Sequence, residues 1–157
     1  YKNNEGGLTA MVYAPCSFTA EVGGVEVTVE EKTFYPMDGH VEVRISMPES
    51  ASVKMPVQFR VPSWAQGVSV KINGVPVEVS QGEILTIRRV WKNADVVELD
   101  FPMEVRTDTW YENAISVERG PLVYALKIDE KWEKVLLDPK EKKGDCYEER
   151  IVDSFYR

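Results

Sequence analysis

Residues 57–101 read VQFRVPSWAQGVSVKINGVPVEVSQGEILTIRRVWKNADVVELDF, and the dipeptide Asn73-Gly74 lies near the centre of this stretch. Asn-Gly between two alternating apolar runs is a strong signal for a β-hairpin, because a type I′ turn needs a positive φ at both central residues. Such a turn places Ile72 opposite Val75 and fixes the register of the hairpin. In that register six apolar side chains share one face, which another sheet must cover: Val68, Val70, Ile72, Val75, Val77 and Val79.

The pattern of short strands and turns continues along the rest of the chain. Gly23-Gly24 and Asp38-Gly39 each stand between alternating runs and predict further two-residue hairpin turns. Residues 47–55 include Pro48 and several polar side chains and are interpreted as a loop. No segment keeps an amphipathic helical period over several turns. The sequence therefore predicts an all-β fold, an antiparallel two-sheet β-sandwich of jelly-roll-like form.

The composition is that of one folded domain. The chain has 157 residues, of which 43% are hydrophobic and 29% are charged, as is typical of globular rather than disordered proteins. We predict a single β-sandwich domain over residues 1–157, excised from a longer polypeptide because the chain opens at Tyr1, with a charged tail at 129–157. The net charge of −7 argues against nucleic acid and anionic membranes as partners, because both attract basic patches.

Residues that commonly carry acid–base or metal chemistry are scattered. His40 is the single histidine and follows the predicted Asp38-Gly39 turn. It is interpreted as a surface residue, since protein zinc sites need three or four ligands. Most acidic residues occupy the polar phase of alternating strands, where a solvated sheet face explains them. The sequence therefore predicts no catalytic, cofactor-binding or metal-binding residue in this chain.

The two cysteines, Cys16 and Cys146, lie far apart in the sequence. They form neither a metal-binding cluster nor a redox pair of the Cys-x-x-Cys type. Cys16 is predicted to be a buried free thiol and Cys146 an exposed thiol. A disulfide between them is the alternative, which sequence alone cannot test because it gives no geometry.

Aromatic side chains are the candidates for contacting a ligand, because their faces stack on the C–H faces of sugar rings. Trp91 is in phase with the core residues of its strand and Trp64 lies at a strand end, so core packing is the better interpretation of both. Trp110 and Tyr111 lie in a less regular stretch. They are the predicted exposed aromatic pair and the candidate ligand-binding residues.

Glu118 and Arg119 are candidates for a contact between domains. They lie in Glu118-Arg119-Gly120-Pro121, between two apolar strands. The Arg119 guanidinium has the geometry to bind a carboxylate through two hydrogen bonds, either within this domain or on a neighbouring one. The alternative is an internal salt bridge that closes a strand corner.

Five stretches, in this order and spacing, resemble one known family. They are FRVPSWA at 59–65, KING at 71–74, IRRVW at 87–91, LDFPM at 99–103 and SVERGPLVY at 116–124. Together they are similar to the C-terminal β-sandwich part of the β-L-arabinofuranosidase-type enzymes, glycoside hydrolase family 127. The resemblance extends from the first strands to about residue 128.

The resemblance implies that catalysis takes place elsewhere, in an upstream helical (α/α)6 barrel. The family uses a glutamate acid/base and a zinc-bound cysteine nucleophile next to a second cysteine. Cys16 has no neighbouring cysteine, so no catalytic or metal residue is carried over to this chain. The implied cofactor, zinc, belongs to the catalytic domain, and that barrel is the implied partner.

Two functional hypotheses follow. The first is a non-catalytic accessory β-sandwich of a glycoside hydrolase, which predicts an apolar patch exposed on the isolated domain because its neighbour is missing. The alternative is a stand-alone carbohydrate-binding module that uses Trp110 and Tyr111. Burial of Trp110 separates the two, because an open face favours the module and a core position favours the accessory domain.

Overall fold

Strands make up nearly all of the regular structure in the computed structural model, which describes residues 2–78 and 83–127. Six strands form the larger sheet: β2 (Cys16–Val22), β3 (Val25–Thr33), β4 (His40–Ser46), β6 (Ser69–Ile72), β7 (Val75–Pro76) and β9 (Asp95–Asp100). They lie in the order β2-β3-β4-β9-β6-β7, and each neighbouring pair is antiparallel.

A smaller sheet packs on the apolar face of the larger one. Its strands are β1 (Leu8–Ala10), β5 (Ser52–Arg60) and β8 (Ile84–Lys92), in the order β1-β5-β8. β5 is antiparallel to β8, whereas the short β1 runs parallel to β5. Both sheets contribute to one apolar core, whose fully buried members are Val27, Val41, Ile45, Met55, Phe59, Leu85, Trp91, Val97 and Leu99. This packing confirms the predicted all-β, sandwich-type fold.

The Asn73-Gly74 turn forms as the sequence predicts. Its two residues have φ values of 52° and 77°, and Ile72 lies opposite Val75. Val70 and Ile72 are buried on the predicted face, but Val75 is 64% exposed because β7 is a two-residue strand at the edge of the sheet. The predicted partner Val79 lies outside the described residues.

The predicted two-residue turn at Asp38-Gly39 is wrong. The connection from β3 to β4 spans residues 34–39, and the register pairs Thr33 with Val41. Gly39 does not have the positive φ that a type I′ turn requires. A Cβ at this position would collide with the carbonyl oxygen of Phe101, whose amide donates to the Gly39 carbonyl at 2.9 Å. Close approach of two backbones, rather than turn geometry, therefore requires this glycine.

The predicted loop at residues 47–55 is shorter in the structure, because β5 begins at Ser52. Val53 and Met55 are 7% and 2% exposed, and they alternate with more exposed neighbours. The period-2 pattern of the following strand therefore extends back to these two residues, which Pro48 and its polar neighbours obscure in the sequence.

A third sheet follows the sandwich and is absent from the two-sheet prediction. Its strands are β10 (Val105–Thr109), β11 (Ile115–Arg119) and β12 (Leu122–Tyr124), which form an antiparallel sheet in that order. A single turn of 3-10 helix, Tyr111–Asn113, connects β10 to β11. Among the described residues, no helix is long and apolar enough to cross a lipid bilayer.

The chain divides into two compact units, Tyr1–Ala125 and Leu126–Arg157. The first unit contains all twelve strands described above. The predicted charged tail at 129–157, with Trp132 and Cys146, lies outside the described residues. The single-domain boundary of 1–157 stays a prediction.

Candidate functional site

The loop between β10 and β11 presents two aromatic side chains to solvent. Trp110 is 66% exposed and Tyr111 is 85% exposed. Trp110 N donates to the carbonyl of Ala114 at 2.7 Å, and Ala114 N donates to the carbonyl of Tyr111 at 3.2 Å. Between them, Glu112 and Asn113 have φ values of 55° and 60°, a left-handed conformation that is unfavourable for residues other than glycine. The loop is therefore closed by its own backbone, with both rings on the outside.

The indole of Trp110 is held by a neighbouring side chain. Its Nε1 donates to Ser116 Oγ at 3.1 Å, and this bond limits rotation of the ring. A fixed, exposed indole next to an exposed phenol presents flat apolar faces and a phenolic hydroxyl, which is the chemistry that stacks on and hydrogen-bonds to a sugar. The exposure of the pair agrees with the sequence, and its role in binding a ligand stays a prediction.

Glu118 and Arg119 have partners within the domain. Glu118 Oε2 lies 3.7 Å from Arg106 Nη2, on the adjacent strand. Arg119 Nη1 donates to the carbonyl of Met37 at 2.9 Å, which ties the third sheet to the β3–β4 connection of the sandwich. The salt bridge predicted as the alternative is thus formed by Glu118, whereas Arg119 binds a carbonyl. Their role at a domain interface stays a prediction.

His40 begins β4 on the surface of the sandwich, with half of its side chain exposed. Its Nδ1 lies 2.7 Å from Asp100 Oδ1, and Ser69 Oγ donates to Asp100 Oδ2 at 3.4 Å. The carboxylate therefore stands between the hydroxyl and the imidazole. A nucleophilic serine needs the base, not the carboxylate, as its neighbour, so this arrangement is not that of a hydrolase triad.

Within residues 2–78 and 83–127, no three or more His, Cys, Asp or Glu side chains gather closely enough to hold a metal ion. The zinc that the family resemblance implies therefore does not fit the described residues. Cys16 in particular is exposed at the start of β2, an edge strand, which corrects the prediction of a buried thiol. Partial desolvation, and then the nearby Glu31 carboxylate, raise the pKa of the Cys16 thiol.

An aromatic cluster closes the end of the sandwich where β3 and β9 finish. The ring centroid of Tyr13 lies 5.8 Å from that of Tyr35 and 5.1 Å from that of Phe101, and Trp64 stacks on Tyr35 at 6.5 Å. The Tyr13 hydroxyl donates to the carbonyl of Arg60 at 2.6 Å. Trp64 therefore packs against this cluster, as predicted, rather than standing free.

Glu31 is a buried carboxylate that the sequence analysis missed. It is 7% exposed and its Oε1 accepts a hydrogen bond from Ala14 N at 2.8 Å. Burial raises the pKa of Glu31, because loss of hydration disfavours the charged form. The sequence pattern indicates this burial, because Glu31 is the next alternate residue of the strand after the buried Val27 and Val29.

A small cavity lies where the sandwich meets the third sheet. Its volume is about 70 Å³, and its lining residues are Trp64, Gln66, Pro102, Glu104, Arg106 and Gly120. Sites for small-molecule ligands usually enclose roughly 300–1,000 Å³. This cavity has room for water but not for a sugar ring, so the exposed Trp110–Tyr111 pair remains the better candidate for a saccharide contact.

The sandwich matches the model of a known protein family. Residues 7–103 match a family model described as the middle domain of GH127 β-L-arabinofuranosidases. The matched residues contain β1 to β9, and the match ends two residues before β10. Because this model is described as a middle domain, the predicted placement in the C-terminal part of such enzymes stays a prediction.

Individual relatives agree with this match. The non-reducing end β-L-arabinofuranosidase of Bifidobacterium longum subsp. longum is 31% identical over 137 residues, which is 79% of this chain and 20% of the relative. The structure of a GH127 β-L-arabinofuranosidase from Geobacillus stearothermophilus T6 is similar with a TM-score of 0.66 and 27% identity, over 77% of this chain and 20% of that one. A solved structure described as a glycoside hydrolase is similar with a TM-score of 0.63 and 30% identity, over 71% of this chain and 20% of that one. The chain thus spans about a fifth of the length of these relatives.

Proposed function

The chain belongs to glycoside hydrolase family 127, and from this membership we propose that it serves as a non-catalytic accessory domain of a larger glycoside hydrolase. In this proposal the parent polypeptide cleaves β-L-arabinofuranosides, the activity for which the matched relatives are named. The catalytic residues and the zinc lie in a helical barrel upstream of this chain. The β-sandwich packs against that barrel and contributes no catalytic group.

One observation carries the proposal. Three large apolar side chains are exposed together in the loops at one end of the sandwich: Val12 at 75%, Phe34 at 79% and Met37 at 65%. We refer to these three residues as the loop patch. Met37 N donates to the carbonyl of Phe34 at 2.8 Å, so both belong to one turn. Val12 and Phe34 directly precede Tyr13 and Tyr35, whose rings are in contact.

An exposed apolar patch of this kind is what the accessory-domain hypothesis expects of a domain separated from its neighbour. The patch lies in loops next to a rigid aromatic cluster, so its shape is fixed by the fold. Burial of Phe34 and Met37 against another domain would remove apolar surface from water, which stabilises association by about 25 cal/mol per Å². We therefore assign the loop patch as the surface that packs against the catalytic barrel.

This assignment is tested by substituting two residues of the loop patch in the full-length parent protein. Phe34→Asp combined with Met37→Asp is expected to lower the melting temperature and kcat of the full-length protein and to leave the unfolding of the 157-residue chain nearly unchanged. Val75→Asp is the matched control, because Val75 is 64% exposed and lies at the opposite end of the larger sheet. Equal behaviour of the double variant and the control in the full-length protein would contradict the proposed docking surface.

A second candidate function is direct contact with carbohydrate through Trp110 and Tyr111. The observation that favours it is their exposure, 66% and 85%, since the alternative hypothesis of a binding module expects Trp110 on an open face. Calorimetric titration of the 157-residue chain with arabinose, galactose and plant-type oligosaccharides tests it. Saturable heat that disappears in Tyr111→Ala but persists in Phe34→Ala, a matched exposed aromatic, would support binding by this loop. Absence of heat at millimolar sugar would reject it.

A further inference from the structure

The charged residues of the sandwich are segregated between its two sheets. The strands of the smaller sheet, β1, β5 and β8, contain no acidic residue, and their basic residues are Lys54, Arg60, Arg88, Arg89 and Lys92. In the strands of the larger sheet, acidic residues outnumber lysine and arginine. The chain carries a net charge of −7, so the smaller sheet has the opposite sign to the protein as a whole.

Four of these cations share the outer face of the smaller sheet. Residues that pair across an antiparallel sheet point to the same side. Successive rows pair Ser52 with Lys92, Lys54 with Val90 and Pro56 with Arg88, and the last row of the sheet pairs Arg60 with Ile84. The residues that alternate with them on β5 are buried in the core, so these rows face outward. We define as the basic face the four exposed cations Lys54, Arg60, Arg88 and Lys92.

The cations of the basic face follow one another at regular intervals. Lys92, Lys54 and Arg88 occupy three successive rows and alternate between β8 and β5. Successive rows on one face of a sheet are roughly 7 Å apart, because each strand residue rises about 3.4 Å. Arg60 extends the line two rows further. The face therefore presents positive charges along one direction, at spacings that the sheet fixes.

Most of these charges have no carboxylate beside them. Within the described residues, Arg88 is the one member of the basic face with an ion pair, which joins its Nη2 to Glu5 Oε2 at 2.7 Å. The two side chains are 62% and 50% exposed, and such solvent-exposed pairs contribute little to stability. An anionic ligand can therefore compete with Glu5 for Arg88 and bind the other cations directly.

We infer that the basic face binds a carboxylate-bearing polysaccharide, a linear chain that contains uronic acid residues. A surface with one sign of charge attracts ligands of the opposite sign, and carboxylates repeated along a polymer match cations repeated along the sheet. Val90 and Ile84 are 46% and 40% exposed on the same face. These side chains offer apolar surface to the C–H faces of sugar rings, as aromatic rings do elsewhere.

An acidic segment of another protein is a less suitable ligand. A polyglutamate chain has more rotatable bonds per carboxylate than a polyuronate chain, so it loses more conformational entropy on binding. An extended peptide commonly gains its affinity by pairing with a strand edge, whereas the basic face offers side chains. Membership of a glycoside hydrolase family also favours a carbohydrate.

This inference goes beyond the proposed function, because the basic face is separate from the loop patch and from the Trp110–Tyr111 pair. Variants of the loop patch test docking to the barrel, and Tyr111→Ala tests stacking of a sugar. Neither substitution changes a member of the basic face. The affinity for an acidic polysaccharide can therefore fail without affecting those proposals, and they can fail without affecting it.

Calorimetric titration of the 157-residue chain with polygalacturonate at low ionic strength tests the inference. We expect saturable binding that weakens as sodium chloride is added, because salt screens exposed charges. Lys54→Gln combined with Lys92→Gln should lower the affinity at least about tenfold, which corresponds to about 1.4 kcal/mol. No binding by the wild type would overturn the inference.

The matched control is Lys32→Gln combined with Lys71→Gln, on β3 and β6 of the larger sheet. It changes the net charge by the same amount as the first double variant but leaves the basic face intact. Its affinity should stay within about twofold of the wild type, since these lysines lie on the other sheet. An equal loss in both double variants would show that only net charge matters and would overturn the inference.

Glu5→Gln supplies a test by gain of affinity, which a misfolded variant cannot produce. It removes the carboxylate that pairs with Arg88 and should strengthen binding of polygalacturonate about threefold, because Arg88 becomes available to the ligand. Glu26→Gln, on the larger sheet, changes the net charge equally and should leave the affinity nearly unchanged. Equal affinities of the two variants would overturn the inference.

Two further polymers identify the class of ligand. Neutral arabinan should bind the wild type at least about tenfold more weakly than polygalacturonate, because it has no carboxylates to meet the basic face. Equal binding of arabinan would overturn the inference. Tighter binding of poly-L-glutamate than of polygalacturonate of the same length would overturn it in favour of an acidic protein segment.

Discussion

The side chain of Asn73 donates from Nδ2 to Asp95 Oδ1 at 2.8 Å and so joins the β6–β7 turn to the β8–β9 turn. Asn73 also pairs with Val96, whose amide donates to Asn73 Oδ1 at 2.8 Å and whose carbonyl accepts from Asn73 N at 2.9 Å. The other carboxylate oxygen of Asp95 accepts from Lys92 N at 2.9 Å. One 6% exposed carboxylate thus fixes both the β6–β7 hairpin turn of the larger sheet and the turn that leads from β8 of the smaller sheet into β9.

Replacement of Asp95 by alanine should destabilise the domain by about 3 kcal/mol, because it removes two hydrogen bonds to a charged acceptor and the ion pair with Arg89 at 3.7 Å. Urea denaturation followed by circular dichroism measures this change. Glu26→Ala is the matched control, since Glu26 is an exposed carboxylate on β3 and its loss should stay within about 0.5 kcal/mol. Similar midpoints for the two variants would contradict the role assigned to Asp95.

Two Trp→Phe substitutions should differ sharply in how much they lower the free energy of unfolding. Trp91 is fully buried, and its Nε1 donates to the carbonyl of Met55 at 3.0 Å. Trp91→Phe removes that buried hydrogen bond and opens a cavity, which should cost about 2–4 kcal/mol. Trp110→Phe replaces an exposed indole by an exposed phenyl ring and removes an exposed hydrogen bond to Ser116, which should cost less than about 0.5 kcal/mol. Thermal unfolding of both variants checks the difference, and a reversed order would be incompatible with the structure.

Gly39→Ala should be more damaging than Gly24→Ala, although Gly24 is the residue with the positive φ. A Cβ at Gly24 meets nothing within 4 Å, so the cost there is the backbone strain of φ +77°, roughly 1–2 kcal/mol. A Cβ at Gly39 collides with the Phe101 backbone. The backbone shifts that relieve such overpacking should cost about 3 kcal/mol. Denaturant midpoints compare the two. A smaller loss of stability in Gly39→Ala than in Gly24→Ala would contradict the close backbone contact as the reason for glycine at position 39.

Stability should depend on pH through Glu31. Its pKa is raised by burial above the ordinary value of 4.5, so the folded state binds this proton more tightly than the unfolded state does. The contribution of Glu31 to the free energy of unfolding is therefore largest below pH 4.5 and falls as the pH rises through the raised pKa. Glu31→Gln keeps the acceptor for Ala14 N but does not ionise, so its stability relative to wild type should increase from pH 4 to pH 7.

The control for this pH dependence is Glu26→Gln, at an exposed position of the same strand. The difference between the two Gln variants at each pH isolates the effect of burying the carboxyl group. Parallel curves for Glu31→Gln and the wild type would show that Glu31 does not titrate differently in the folded and unfolded states.

Features with a local cause were predictable from the sequence. The Asn73-Gly74 turn, the burial of Trp91 and the all-β class follow from turn chemistry and from period-2 alternation, which act within a few residues. The role of Gly39 was not predictable, because the backbone that requires it belongs to Phe101, far along the chain. Val75 is exposed because its strand is short and lies at an edge, which depends on sheet order.

The candidate site was predictable only in part. The irregular sequence around Trp110 and Tyr111 indicated exposure, which the structure shows. The assembly of β10, β11 and β12 into a third sheet depends on pairing between strands, which a strand-by-strand interpretation does not provide. The contact of Arg119 with Met37 joins residues 82 positions apart, and no local pattern encodes such a contact.

The most direct test of the central claim is an assay of two proteins side by side on p-nitrophenyl β-L-arabinofuranoside. We expect that the full-length parent protein releases nitrophenol and that the 157-residue chain, at the same molar concentration, releases none above the blank. Hydrolysis by the 157-residue chain alone would contradict the claim that it is a non-catalytic accessory domain.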